Sequence, residues 1–281
     1  MEVVNVSDAC SSCSSAEGCS GTCPSEPVLT EAQKASNVKK VIAVMSGKGG
    51  VGKSSVTGML AVSLMRKGFK VGVLDSDITG PSIPKIFGIT GKADSCETGI
   101  LPTKTVNGIE IISLNVMIAN EDDPVIWRGP LISQLVKQFW TDVIWGDLDY
   151  LLIDLPPGTG DVPISVFQEM PIAGVVIVSS PQQLANMVVR KAIKMANQYN
   201  ANFYGLIENM AYINCPDCNK RIEVFGKPRG TEEAARSEVP FLGELPLDPT
   251  LSELSDAGKI EEYQSAAFDS IAEKLLEQIQ K

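Results

Sequence analysis

The sequence predicts an α/β fold, a mostly parallel β-sheet with helices on both faces, and three observations carry that expectation. Apolar runs rich in Val, Ile and Leu alternate with helical patterns along most of the chain. Those runs are nearly continuous in apolar residues, as strands buried on both faces are, whereas half-exposed strands alternate. With 281 residues, 44% hydrophobic and 21% charged, the chain has the composition of a globular protein that buries a substantial core.

The elements follow in order. Residues 1–36 are rich in Ser, Glu, Cys, Gly and Pro without sustained apolar periodicity, which predicts a flexible Cys-rich N-terminal arm that a bound metal would order. Residues 37–281 form the globular part. Its first strand is "VKKVIAVMS", followed by a helix over residues 53–67. Strands are expected at "KVGVLDSD" and "IEIISL", a helix near 130–143, and a strand at "YLLIDLPPG". "AGVVIVSS" leads into a helix near 183–198, "NFYGLIENM" is the last predicted strand, and an acidic helix near 261–280 closes the chain.

Composition also excludes function classes. A net charge of −10 without a basic patch argues against nucleic acid and against anionic membrane surfaces, both of which need clustered Lys and Arg. No apolar run reaches the roughly 18 to 20 residues that span a bilayer, and no basic-then-apolar leader opens the chain, so a cytoplasmic location is expected. Thiols stay reduced there, and the seven cysteines read as metal or cluster ligands before disulfides. The absence of His removes His-based zinc sites and Ser-His-Asp triads.

"SGKGGVGKSS" contains the phosphate-loop pattern G-x-x-x-x-G-K-[ST] as Gly47, Gly52, Lys53 and Ser54. It lies between a predicted strand and a predicted helix, the context of a P-loop NTPase. The backbone of Gly47, Lys48, Gly49, Gly50, Val51, Gly52, Lys53, Ser54 and Ser55 would cradle the phosphates of ATP. Lys53 would neutralise them and Ser54 would reach Mg2+. Lys53 is expected on a near-surface loop, so its removal should leave the fold intact. Asp154, at the end of an apolar strand, suits the Mg2+-side carboxylate, and the Pro-Pro-Gly turn after it could sense a γ-phosphate. Asp77 is expected to orient the attacking water and Asp75 to brace the loop. Each aspartate taken alone reads first as capping a helix or turn; together with the loop they form a set.

"GKGGVGKSS" with its additional Lys48, "LDSDITGPS" and "DLPPGTGD" resemble the deviant Walker A class of P-loop ATPases, which includes MinD, ParA and the nitrogenase iron protein. The resemblance implies that Lys48 reaches across a nucleotide-sandwich homodimer to the partner's phosphates. A second cation beside the transferring phosphoryl group would stabilise its charge. Lys48, Lys53 and Asp77 are therefore the catalytic candidates. No strong base is evident, so hydrolysis is expected to be slow.

Cys215 and Cys218, in C-P-D-C directly after a strand, can grip one edge of a metal centre but supply two of four thiolates. A two-fold dimer would supply the other two and hold one [4Fe–4S] cluster. A half-used zinc knuckle and a redox dithiol are the other readings. From about residue 38 onward, "DSDITGPSIP", "DLPPGTGD", "ENM" followed by C-P-x-C, and "LGELPLDP" are similar to the Mrp/Nbp family of iron–sulfur cluster carrier ATPases. That resemblance assigns a bridging, transferable [4Fe–4S] cluster to Cys215 and Cys218. It places adenine near Asn209, Pro246 and Asp248, and implies apo iron–sulfur proteins as recipients with a cluster-assembly scaffold as donor. Cys10, Cys13, Cys19 and Cys23 resemble the additional cluster site of Nbp-type members. The family's lone upstream cysteine is missing, and Cys23 lies downstream instead, so four thiolates for [4Fe–4S] or for zinc both remain open. Two alternatives stand beside the carrier. One is a MinD/ParA-type positioning ATPase, for which the C-terminal segment has too few cations. The other is an electron-transfer protein like the nitrogenase iron protein, whose cysteines lie far apart in sequence.

Overall fold

The computed structural model describes residues 29–77, 80, 82–91, 93–113 and 129–281, with the side chains of 129–132 and 183–189 outside the description. Cys10, Cys13, Cys19 and Cys23 lie outside the described residues. The elements run α1 Glu31–Lys34, β1 Asn37–Ser46, α2 Lys53–Arg66, β2 Val71–Asp75, α3 Ile83–Ile86, β3 Asp94–Cys96, β4 Gly99–Leu101, β5 Thr103–Lys104 and β6 Glu110–Ser113. They continue as α4 Gly129–Thr141, β7 Asp147–Asp154, α5 Asp161–Glu169, β8 Ile172–Ser179, α6 Gln183–Gln198, β9 Phe203–Asn214, β10 Arg221–Ile222, α7 Gly230–Arg236, β11 Phe241–Pro246, α8 Pro249–Asp256 and α9 Ala266–Ile279.

The main sheet has the order β10-β9-β8-β1-β7-β2-β6-β5, with β11 also paired to β9. Its central pairs β8–β1, β1–β7, β7–β2 and β2–β6 are parallel, so the C-terminal ends of β1, β7 and β2 lie side by side. Register places Val44 and Asp75 opposite Asp154 from its two sides. This is the edge where doubly wound folds bind ligands. The antiparallel additions are small: β5 on β6, the β3–β4 hairpin and β10 on β9.

Side chains of successive strand residues point to opposite faces, and each face has its own core. Ala43, Leu151, Ile153 and Val175 join Phe139 of α4 and Val166 of α5 on one face. Ile42, Val44, Val73 and Leu152 join Leu60 of α2 and Phe268 and Leu275 of α9 on the other. Helix α2 is apolar nearly all round, from Val56 to Leu64, because it lies wedged between the sheet and α9.

The predicted parallel sheet and its long strands and helices are present. The final helix begins at Ala266, later than expected. Residues 260–262 form a 3-10 turn with Ile260 buried, and Ser265 stands at the α9 N-cap. The expected arm ends at residue 36, just before β1, yet residues 29–36 pack on the domain. Ala32 is buried, Thr30 caps α1 and also donates to the Thr141 carbonyl, and Ser36 Oγ accepts from Trp145 N–H at 2.9 Å. A truncation that spares this contact ends at residue 28.

Candidate functional site

The phosphate loop leaves β1 at Ser46 and enters α2 through Gly52. Gly50 and Gly52 have φ of 76° and 75°, a left-handed backbone that favours glycine. No side chain caps α2, so its first amides face the cleft, ready for an anion. The cleft, of about 230 Å³, is lined by Ser46, residues 48–55, Asp77 and Pro157. The exit from β7 is pinned to β1: Leu155 N–H donates to Val44 O at 3.0 Å and Gly158 N–H to Ser46 O at 2.9 Å.

Asp154, at the end of β7, is fully buried and fully engaged. Its Oδ2 sits 2.6 Å from Lys53 Nζ and accepts from Ser54 Oγ at 2.6 Å, while Oδ1 accepts from Thr57 Oγ1 at 2.7 Å. Lys53 is 6% exposed. The expectation of a near-surface lysine whose removal does not touch the fold is therefore corrected: Lys53 is the cation that neutralises a carboxylate with no access to water. Thr57 was not predicted, though its spacing offered a signal. It lies three residues after Ser54 on the same helix face, and therefore reaches the same carboxylate.

Asp75 accepts from the amides of Asp77 at 3.1 Å and Ile83 at 3.0 Å, which braces the segment after β2. Burial, and secondarily the negative charge of Asp154, pushes the Asp75 carboxyl up to about 7. The unfolded value lies near 4, so between about pH 4 and 7 the folded chain holds a proton that the unfolded chain has lost. This contribution to stability is greatest at low pH and is lost as pH rises through about 7. In the nucleotide-free protein, Asp75→Asn should make the fall in Tm between about pH 5 and 7 shallower. Thermal melts at four or five pH values check this, and an unchanged slope contradicts it.

Lys48 also lines the cleft, and its ammonium contacts the side-chain oxygen of Gln182, which precedes α6 in the same chain. Gln182 had no sequence signal. The cleft lining does not include Asn209, Pro246 or Asp248. Asn209 is buried and donates Nδ2 to Val51 O at 2.9 Å, so it supports the loop from behind. Pro246 ends β11 opposite Tyr212. Asp248 caps α8 through Thr250 N–H and accepts from Tyr263 OH at 2.7 Å.

Cys215 and Cys218 occupy a turn between β9 and β10. Asn219 N–H donates to Cys215 O at 2.9 Å, Cys215 N–H donates to Lys220 O at 3.0 Å, and Asn219 adopts φ 55° to close the turn. Residues 216–227 are exposed. The amides of Cys218 and Asp217, and then the Cys218 thiol, hold the Cys215 thiol below its ordinary range, which favours the thiolate a metal requires. Among the described residues, no group of three or more His, Cys, Asp or Glu is placed to hold a metal.

The hydroxyl of Ser54 and the carboxylate of Asp154, side by side beneath the loop, are the hard oxygen donors that suit Mg2+ beside a phosphate, so the residues fit that ion. A family model described as ParA, NUBPL iron-transfer P-loop NTPase, matches residues 37–280. The iron-sulfur cluster carrier protein of Clostridium perfringens is 47% identical over 264 residues, covering 91% of each chain. The cytosolic Fe-S cluster assembly factor CFD1 of Kluyveromyces lactis is 45% identical over 226 residues, covering 78% of this chain and 80% of that one. Among solved structures, a nucleotide-binding protein from Archaeoglobus fulgidus, in complex with ADP and with cobalt, superposes with a TM-score of 0.74. It is 45% identical, over 83% of this chain and 91% of that one.

Proposed function

The chain belongs to the ParA family of NUBPL iron-transfer P-loop NTPases, and from that membership we propose that it is an ATP-dependent carrier of iron–sulfur clusters. The observation that carries the proposal is the exposed C-P-D-C turn, with one thiol held toward thiolate, at the end of the same strand whose Asn209 supports the phosphate loop. The cargo is one [4Fe–4S] cluster held by Cys215 and Cys218 of two subunits, and apo iron–sulfur proteins receive it. A cluster-assembly scaffold is the donor we expect.

ATP is the substrate of the loop. Gly47 to Ser55 bind and orient its phosphates, Lys53 neutralises them, and Asp77 orients the attacking water. Mg2+, held by Ser54 with Asp154 beside it, would supply charge neutralisation at the phosphates. Lys48, steered by Gln182, reaches the phosphates of the partner subunit. Lys48→Ala should therefore reduce hydrolysis by tenfold or more while changing nucleotide affinity by less than about threefold. Equal losses in both, measured by fluorescent-nucleotide titration and phosphate release, would remove Lys48 from this role.

Asn209, Pro246 and Asp248 remain our choice for the adenine end. The four N-terminal cysteines hold a second cluster, so removing residues 1–28 should subtract about four irons per chain and spare ATP hydrolysis. Zinc in those positions would contradict this. Among the described residues, no helix is long and apolar enough to cross a membrane. The apolar face of α9 packs into the core through Phe268, Ile271 and Leu275, which disfavours a membrane-docking tail of the positioning-ATPase kind.

The reading is tested by anaerobic reconstitution with ferrous iron and sulfide, followed by incubation with an apo iron–sulfur enzyme whose activity returns on loading. Return of activity in step with loss of carrier iron is expected. A cluster that stays on the carrier while passing electrons would support the reductase alternative.

A further inference from the structure

One peptide group joins the phosphate loop to β9, the strand that leads into the cysteine turn. Its carbonyl, Val51 O, accepts from Asn209 Nδ2 at 2.9 Å. Its N–H belongs to Gly52, one of the donors such loops turn toward phosphate, and in a trans peptide the two ends point in opposite directions. Any rotation of that peptide on nucleotide binding is felt at Asn209.

Strand β9 is irregular at this point. It pairs with β8 as far as Glu208 and with β11 at Glu208↔Glu244, and the next partners are Tyr212↔Pro246. Four steps along β9 thus oppose two along β11, a bulge that takes in residues 209–211. Within it Met210 adopts φ 57°, a left-handed backbone unfavourable for any residue bearing a Cβ. The terminal methyl of Met210 and the side-chain amide of Asn209 fill the space where a Cβ on Gly52 would point, so Asn209 and Met210 both lie against the loop. Beyond the bulge the strand is fixed again: Leu247 N–H donates to Tyr212 O at 2.7 Å, and Arg221 covers the Tyr212 ring at 4.0 Å while pairing with Glu244. Three residues after Tyr212 comes Cys215.

We propose that the Asn209–Met210 bulge is the joint that couples occupancy of the phosphate loop to the metal load on Cys215 and Cys218. Met210 is a positioning residue in this scheme: at positive φ its Cβ leaves only a small left-handed region open, so movement at Val51–Gly52 reaches the cysteine turn with little of it absorbed. The inference rests on the reading of Cys215 and Cys218 as cluster ligands. Coupling between two binding sites is reciprocal, so metal load must alter nucleotide affinity by the factor with which nucleotide alters metal affinity.

The test measures fluorescent-ADP affinity of the full chain, before and after reconstitution with iron and sulfide, in the wild type, Met210→Gly and Met210→Ala. Glycine populates the left-handed region freely and slackens the joint, whereas alanine keeps the Cβ. The wild type should show at least about a fivefold difference in Kd between loaded and unloaded protein, and Met210→Ala should keep it within about twofold. Met210→Gly should bring the ratio to within about twofold of unity with its iron content unchanged. A wild-type ratio of one, a ratio that survives in Met210→Gly, or equal loss in both variants overturns the joint while leaving the carrier reading in place. Iron content that is unaffected by Cys215→Ala overturns the carrier reading itself, and the joint with it.

Discussion

Lys53→Ala is expected to remove measurable nucleotide binding and, unlike an ordinary loop substitution, to lower the melting temperature as well. Both effects come from one ammonium group. It lies 2.6 Å from Asp154 Oδ2, with the carboxylate fully buried. Removing one partner of a buried pair typically costs about 3–5 kcal/mol, because a desolvated charge is left behind. Ser54 and Thr57 still donate to Asp154 and soften that loss. At about 2–4 °C per kcal/mol for a domain of this size, Tm should drop by roughly 10 °C. Phosphate binding then fails for a second reason, since the helix N-terminus and loop amides act without their fixed cation. Calorimetric titration with ADP, run well below the shifted transition and alongside a melting curve, separates the two. Retained affinity would mean that this cleft is not where nucleotide binds.

Cys218→Ala is the second large effect, and it falls on metal content with little cost to the fold. Cys218 is exposed and lies in a turn closed by backbone bonds between Cys215, Asn219 and Lys220. The substitution should therefore change stability by less than about 0.5 kcal/mol. If two subunits share one cluster, the loss of one thiolate per chain removes half of its protein ligands. Iron and sulfide at this site should fall to near zero, and association should weaken in parallel. A zinc site closed within one chain would lose metal without a change in association. A redox dithiol would change neither iron content nor association. Cys215→Ala should match Cys218→Ala in both readouts.

Most of what positions the site was legible in the chain, for identifiable reasons. The runs around Ile42, Leu152 and Val176 are apolar on both faces, and only a sheet covered on both sides buries such strands. Lys53, Ser54 and Asp154 were predicted from motif and strand end, and they meet within hydrogen-bonding distance. What escaped depends on contacts between segments distant in sequence. Gln182 reaches Lys48 across 134 positions, a pairing no local pattern encodes. The bulge at Met210 is set by a mismatch between β9 and β11, and methionine carries no signal for left-handed backbone. Helix α1 is four residues long, too short for periodicity, and takes its stability from Ala32 and Ser36 packing against the domain. Lys53 was located but its burial was not, because a sequence shows a cation in a loop and not the carboxylate folded beneath it.

In the proposed function one cluster is shared between two chains through Cys215 and Cys218. The most direct measurement is sedimentation velocity combined with iron and sulfide analysis on protein lacking residues 1–28, reconstituted under anaerobic conditions, so that only Cys215 and Cys218 are counted. A dimer carrying about four irons and four sulfides in total is the predicted result, dissociating as the cluster is removed by chelation. About four irons on each monomer, or a monomer that keeps its full metal load, would contradict it.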